Sequence, residues 1–247
     1  MSIARYECNY IPMANKVENL KKDGNYYRVV VGGFNIENHS GAYYPLTPSV
    51  EQLFSETGII RRRINAGLCR GEYGHPKPDG MDMQSYIRRL AVIDPLLTSH
   101  HFRSFTLEHA KDERNKDIVL TVAELTPSGP YGPVLKQQLE NLYENVAFSI
   151  RSFTNNSMVG SKQHRIVKDA LTWDAVSEGG IKVAHQYFTA NLESVYDDII
   201  IDEHILDSAI KSVEVPGLES EFSTLSMVRT NLGWQKVQII RPSALTW

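Results

Sequence analysis

Two cysteines, Cys8 and Cys69, are the only thiols in 247 residues. That is too little sulfur for a disulfide framework or a Cys-rich zinc site, and it fits a reducing compartment. Long apolar runs are missing as well: none reaches the roughly 18 residues that a spanning helix needs. The opening stretch, MSIARYECNYIPMANK, has no apolar centre of the kind a signal peptide carries. Neither sign of charge dominates. Lys and Arg number 26 against 29 Asp and Glu, a net charge of −3, so no global basic field recruits nucleic acid or an anionic membrane. Internal repeats and low-complexity segments are absent. These absences predict a cytoplasmic protein with no nucleic-acid or membrane partner.

What is present is an ordinary globular composition, 42% hydrophobic and 22% charged, in a chain long enough for one large domain. Alternation and turn residues predict strands over 26–35, 57–74, 100–110, 116–125, 146–153 and 163–176. Helical spacing predicts a helix over 81–94 that stops before Pro95, and another over 134–145 with Pro133 in its first turn. The N-terminal stretch to about residue 25 is polar and mixed, and 37–49 reads as a loop. Strands outnumber helices, so the expected class is α+β: an antiparallel β-barrel-like core with a few surrounding helices. After residue 190 the chain turns acidic, with a short helical pattern and then a soft, polar segment. Residues 1–190 are therefore read as a core domain and 191–247 as a C-terminal appendage.

Three short segments carry candidate chemistry. In GEYGHP (71–76), His75 stands between Gly74 and Pro76. Such a histidine is a stiffly held base, a metal ligand with Glu72, or a turn residue without chemistry. A metal site would need further ligands; His100, His101 and His109 are available, but no HExxH-like spacing joins them. In NVAFSIRSF (145–153), alternation sets Ser149 and Arg151 on one strand face and Phe148 and Ile150 on the other. Ser149 is then either a nucleophile beside a cation or a strand serine bonded to backbone. In LTWDAVSEGG (171–180), Asp174 either orients a histidine or turns the chain. The run Arg61-Arg62-Arg63, with isoleucines before and after it, reads as a strand showing charges to solvent, not as a nucleic-acid platform. VVVGGFN lacks the full nucleotide-loop fingerprint.

Taken in order, GEYGHP, FSIRS and TWDAVSEGG resemble the prohead (capsid maturation) serine proteases of T-even and giant myophages, distant relatives of the herpesvirus assemblins. The resemblance spans about residues 55–190. It implies an assemblin-like fold, with His75 as base, Ser149 as nucleophile and Asp174 as third member. Arg151 and Ser152 would lie near the oxyanion, and Glu72 would support the loop. Two positions depart from the family pattern: Tyr73 stands where an aliphatic residue is usual, and Ser152 where glycine is common. The resemblance further implies cleavage of scaffold and capsid proteins after glutamate in small-x-Glu sites, inside the prohead in the host cytoplasm, with no cofactor and no metal. It leaves self-association into a homo-oligomer open. The chain holds such tripeptides itself, at Ser212-Val213-Glu214, Gly217-Leu218-Glu219 and Ser49-Val50-Glu51. Self-cleavage at Glu214 or Glu219 would remove part of the C-terminal segment. The competing readings are a non-catalytic scaffold or capsid-associated protein of the same fold, and a metal-dependent hydrolase using Glu72, His75 and His100 or His101.

Overall fold

The computed structural model describes residues 3–12, 22–38, 41–112, 114–141, 144, 146–176 and 199–234. In chain order its first half runs β1 (Ile3–Pro12), β2 (Lys22–Asp23), β3 (Tyr26–Phe34), β4 (Ile36–Glu37), β5 (Tyr43–Tyr44), α1 (Pro48–Phe54), α2 (Ile59–Asn65), β6 (Arg70–Glu72) and α3 (Met83–Ala91). The second half runs β7 (Thr98–Lys111), β8 (Asp117–Pro127), α4 (Gly132–Glu140), β9 (Ala147–Val159), β10 (Lys162–Val176), β11 (Ile199–Asp202), α5 (Glu203–Ser212) and α6 (Glu219–Asn231). The class is α+β, as expected. The strands form two sheets, ordered β11-β1-β9-β10-β5-β4 and β2-β3-β8-β7-β6, mostly antiparallel and not closed into one barrel.

The main core lies between the sheets. Val29 of β3 with Phe102 and Phe105 of β7 meets Phe148, Ile150 and Trp173 of β9 and β10. The Phe105 and Trp173 rings lie 4.6 Å apart, tilted by 35°, and each fully buried side chain of this size contributes about 2–3 kcal/mol. A second core covers the opposite face of the larger sheet. There Ile87 and Leu90 of α3, Leu206 of α5 and Leu225 of α6 pack around Phe153, Leu171 and Ile201. The Asp82 side chain caps α3 by accepting the Ser85 N–H, and Asp202 caps α5 by accepting that of Ile205, each worth about 1 kcal/mol.

Several expectations are corrected. The predicted strand over 57–74 is helix α2 followed by the three-residue β6. Ile60 and Ile64 both face the main core, and their spacing of four is helical, not alternating. The arginine run therefore lies on a helix: Arg62 is exposed, whereas Arg63 turns inward and donates to the Leu171 carbonyl. The polar N-terminal stretch contains β1, which pairs β9 along eight residues, from Arg5 opposite Thr154 to Pro12 opposite Ala147. The soft C-terminal segment contains α6. Residues 199–202 join the edge of the larger sheet beside β1, and α5 and α6 build the second core with α3. Among the described residues no helix is long and apolar enough to cross a membrane.

Candidate active site

The GEYGHP stretch begins in β6 and ends in the turn after it. Gly71 is where β6 runs closest to its neighbours. A Cβ there would lie 2.2 Å from the Trp173 carbonyl oxygen and 2.3 Å from His100 Nε2, so only glycine fits. Tyr73 then bridges Ala175 of β10 in parallel. Gly74, with φ +83°, takes a left-handed conformation and donates its N–H to the Ala175 carbonyl at 2.6 Å. Helix α3 holds the residue after His75, because the Tyr86 hydroxyl donates to the Pro76 carbonyl at 2.9 Å. The backbone on either side of His75 is thus pinned from β10 and from α3.

Asp174 is the hub of the site. It is fully buried, and its carboxylate accepts four hydrogen bonds. Oδ1 takes the Glu72 backbone N–H at 3.0 Å and Arg151 Nη2 at 2.9 Å. Oδ2 takes His75 Nδ1 at 2.8 Å and Arg151 Nε at 2.9 Å. Burial pushes this carboxyl up, but the Arg151 guanidinium, the His75 contact and the Glu72 N–H together outweigh it and hold the pKa at about 2. An ionised carboxylate only accepts, so Nδ1 carries the imidazole proton in this contact and Nε2 is the basic nitrogen of the neutral ring.

Ser149 is the residue of β9 directly opposite Asp174 in the antiparallel ladder. Opposed side chains share a sheet face with Cβ atoms about 4.5–5.5 Å apart. The serine therefore lies beside the carboxylate that holds His75. Its hydroxyl is buried and makes no hydrogen bond among the described residues. Arg151, two residues on and on the same face, is 0% exposed. Beyond Asp174 it donates through Nη1 to the Leu90 and Val92 carbonyls at 3.2 and 3.0 Å, and its Nη2 lies 3.3 Å from Glu72 Oε2. Glu72, also 0% exposed, is gripped by Arg89 of α3 through Nη1 to Oε1 at 2.9 Å and Nη2 to Oε2 at 2.5 Å. The Asp94 N–H adds a third bond to Oε1 at 2.7 Å. Two carboxylates and two guanidinium groups make a closed, neutral, buried cluster behind the histidine.

The structure thus brings His75, Ser149, Asp174, Arg151 and Glu72 together. Alternation along β9 sets the Ser152 side chain on the other face, the one shared with Phe148 and Ile150. Glu214 is exposed in the turn after α5, and Glu219 opens α6, where its Oε1 accepts the Gly217 N–H at 3.1 Å. His100 is used elsewhere: its Nε2 lies 3.0 Å from the Trp173 carbonyl and its Nδ1 2.8 Å from Ser99 Oγ. Burial lowers its pKa to about 4, so it is a neutral donor to that carbonyl. His101 lies beside Tyr26, and His109 faces Val119 far along the β7–β8 ladder. Among the described residues no three His, Cys, Asp or Glu side chains could hold a metal ion.

The sequence reading missed Arg89 and Tyr86. The signal was present: Arg89 stands three residues after Tyr86 and one before Leu90, inside the apolar stripe of α3. A charged residue in such a stripe needs a buried partner, here Glu72.

The profile of the peptidase S80 family matches residues 6–229. The capsid maturation protease of Pseudomonas phage phiKZ is 30% identical over 182 residues, covering 71% of this chain and 66% of that protein, slightly under two thirds of the relative's length. Among solved structures, the capsid assembly protease of bacteriophage T4 superposes with a TM-score of 0.49 at 13% identity, over 70% of this chain and 98% of that one.

Proposed function

The chain belongs to the peptidase S80 family, and from that membership and the geometry around Asp174 we propose that it is a serine endopeptidase that matures phage heads. The observation that carries the reading is the Asp174 hub, which fixes the His75 tautomer at 2.8 Å and stands opposite Ser149. In the reaction His75 Nε2 takes the proton of the Ser149 hydroxyl as its oxygen attacks the scissile carbonyl. The imidazolium is stabilised by Asp174, and it then returns the proton to the leaving amine. Arg151 is a positioning residue for Asp174. Its N–H groups point at Asp174, Glu72 and two carbonyls. The His75 side chain is 2% exposed and Ser149 is 2% exposed. A peptide therefore reaches the serine only after neighbouring chain moves aside.

The substrates proposed are scaffold and capsid proteins cut after glutamate in small-x-Glu sites, within the prohead in the host cytoplasm. The chain is its own candidate substrate. Glu214, exposed in a turn, is the more accessible of the two C-terminal positions, and Glu219 is held by its hydrogen bond to Gly217. Incubating wild type and Ser149→Ala with purified scaffold protein, followed by intact-mass analysis, tests both claims. New termini after glutamate with wild type alone are expected. Equal inertness of the two proteins favours a structural head component of the same family.

A further inference from the structure

Behind the His75–Asp174 contact lies a charge arrangement that the acyl-transfer reaction does not itself require. Arg151 bridges two carboxylates, giving two hydrogen bonds to Asp174 and a contact of 3.3 Å to Glu72. Arg89 then holds the far side of Glu72 with both terminal nitrogens. Neutrality of the cluster depends on all four groups. We propose that Glu72 and Arg89 form a positioning pair that sets the proton affinity of His75 through Arg151 and Asp174, with α3 as the element that holds the pair in place.

The physical reason lies in burial. Neither Glu72 nor Arg151 has water to screen it, since both are 0% exposed, so a missing charge is felt by the remaining members. Without Arg89 the cluster carries one extra negative charge. Arg151 is then shared between two under-compensated carboxylates, and the imidazolium of His75 is favoured. Without Glu72 the cluster carries one extra positive charge and the imidazolium is disfavoured. Without both, the charge returns to balance. The other groups facing His75 stay the same in all three cases. Among the described residues, Asp174 of β10 bonds the ring, Ser149 and Arg151 of β9 stand at Asp174, the Tyr86 hydroxyl of α3 bonds the adjoining Pro76 carbonyl, and neutral His100 of β7 bonds the Trp173 carbonyl. Loosening alone gives no such sign pattern. Helix α3 connects the pair to α5 and α6, because Gln84 donates to the Ser208 carbonyl of α5 at 2.9 Å and Arg88 pairs with Glu221 of α6 at 3.7 Å.

The inference rests on the reading of His75 as a base, but it is measurable without turnover. The experiment is an NMR titration of the His75 ring in the full chain carrying Ser149→Ala, with Arg89→Gln, Glu72→Gln, the double variant and Arg89→Lys. The His75 midpoint is expected to rise by about one pH unit in Arg89→Gln and to fall by a similar amount in Glu72→Gln. It should return to within about 0.3 units of the parent in the double variant and lie nearer the parent in Arg89→Lys. If Arg89→Gln fails to fold, the fall in Glu72→Gln and its reversal in the double variant still carry the test. Midpoints that move in the same direction in both single variants, or that stay with the parent in all of them, overturn the proposal. Opposite shifts, together with a parent carrying Ser149 that cleaves nothing, would sink the protease reading and leave the positioning pair standing.

Discussion

Replacing Arg151 with methionine removes a cation that touches both buried carboxylates of the site. Asp174 would lose two of its four hydrogen bonds, and the Leu90 and Val92 carbonyls would lose their donor. Breaking a buried ion pair by deleting one partner costs about 3–5 kcal/mol, because the other charge stays buried without compensation. The pH dependence sharpens this expectation. In the wild type the Asp174 pKa is held at about 2, below its ordinary 3.8. A depressed carboxyl contributes stability that is fully present above the unfolded pKa and is lost as pH falls from about 4 to about 2, here about 2 kcal/mol. In Arg151→Met the burial penalty on Asp174 is no longer opposed by the guanidinium, so its pKa rises and protonation relieves the variant. The stability gap between wild type and variant should therefore be largest near pH 7 and narrow as pH falls toward 4. Urea unfolding followed by far-UV circular dichroism between pH 4 and 7 measures it. A gap under about 1 kcal/mol at pH 7, or one that stays constant down to pH 4, would refute the reasoning about the hub.

Gly71→Ala should destabilise the fold by about 2–4 kcal/mol, since the new Cβ meets the Trp173 carbonyl and His100 Nε2 at 2.2 and 2.3 Å and must displace a buried hydrogen bond; a thermal midpoint within 2 °C of wild type would count against it. Two buried groups of β7 and β10 pull stability in opposite directions with pH. Burial lowers His100 to about 4, so its contribution is present above the unfolded value of 6.5 and is lost as pH falls toward 4. Burial raises Asp169 to about 6 against the pull of Arg63, so its contribution is greatest at low pH and is lost as pH rises from 4 to 6. Wild-type stability should thus be nearly flat between pH 4 and 6, whereas His100→Gln should gain stability on acidification and Asp169→Asn should lose it. Matching slopes in the two variants would contradict the assignment.

The part of the site legible in the sequence was the part with local pattern. Ser149 and Arg151 share a face because β9 alternates cleanly between core and site, and the helical spacing of Tyr86, Ile87 and Leu90 marked α3. Gly71, Gly74 and Pro76 identified a constrained loop around His75, although the reason for Gly71 lies in Trp173 and His100, which no local pattern connects to it. Local pattern left Asp174 between orienting a histidine and turning the chain; its register opposite Ser149 and its bonds to His75 and Arg151 come from tertiary pairing. The larger errors fell where seven or so residues are too few for periodicity to decide. Helix α2 has isoleucines at helical spacing but a charged centre, and its identity depends on packing against the main core. Strand β1 exists because β9 and β11 pair with it, a tertiary cause that overrides its mixed composition. The apolar stripe of α3 marked Arg89 as a charge in need of a partner, but not which one, because Glu72 lies on a different element.

The central claim is that Ser149 attacks the peptide bond with His75 as its base. A fluorogenic peptide ending in small-x-Glu, assayed with wild type, Ser149→Ala and His75→Gln after each is confirmed folded by circular dichroism, tests it most directly. Cleavage after glutamate by the wild type, and a loss of at least about 1,000-fold in kcat/KM in both variants, is the predicted result. Undiminished cleavage by folded Ser149→Ala would contradict it.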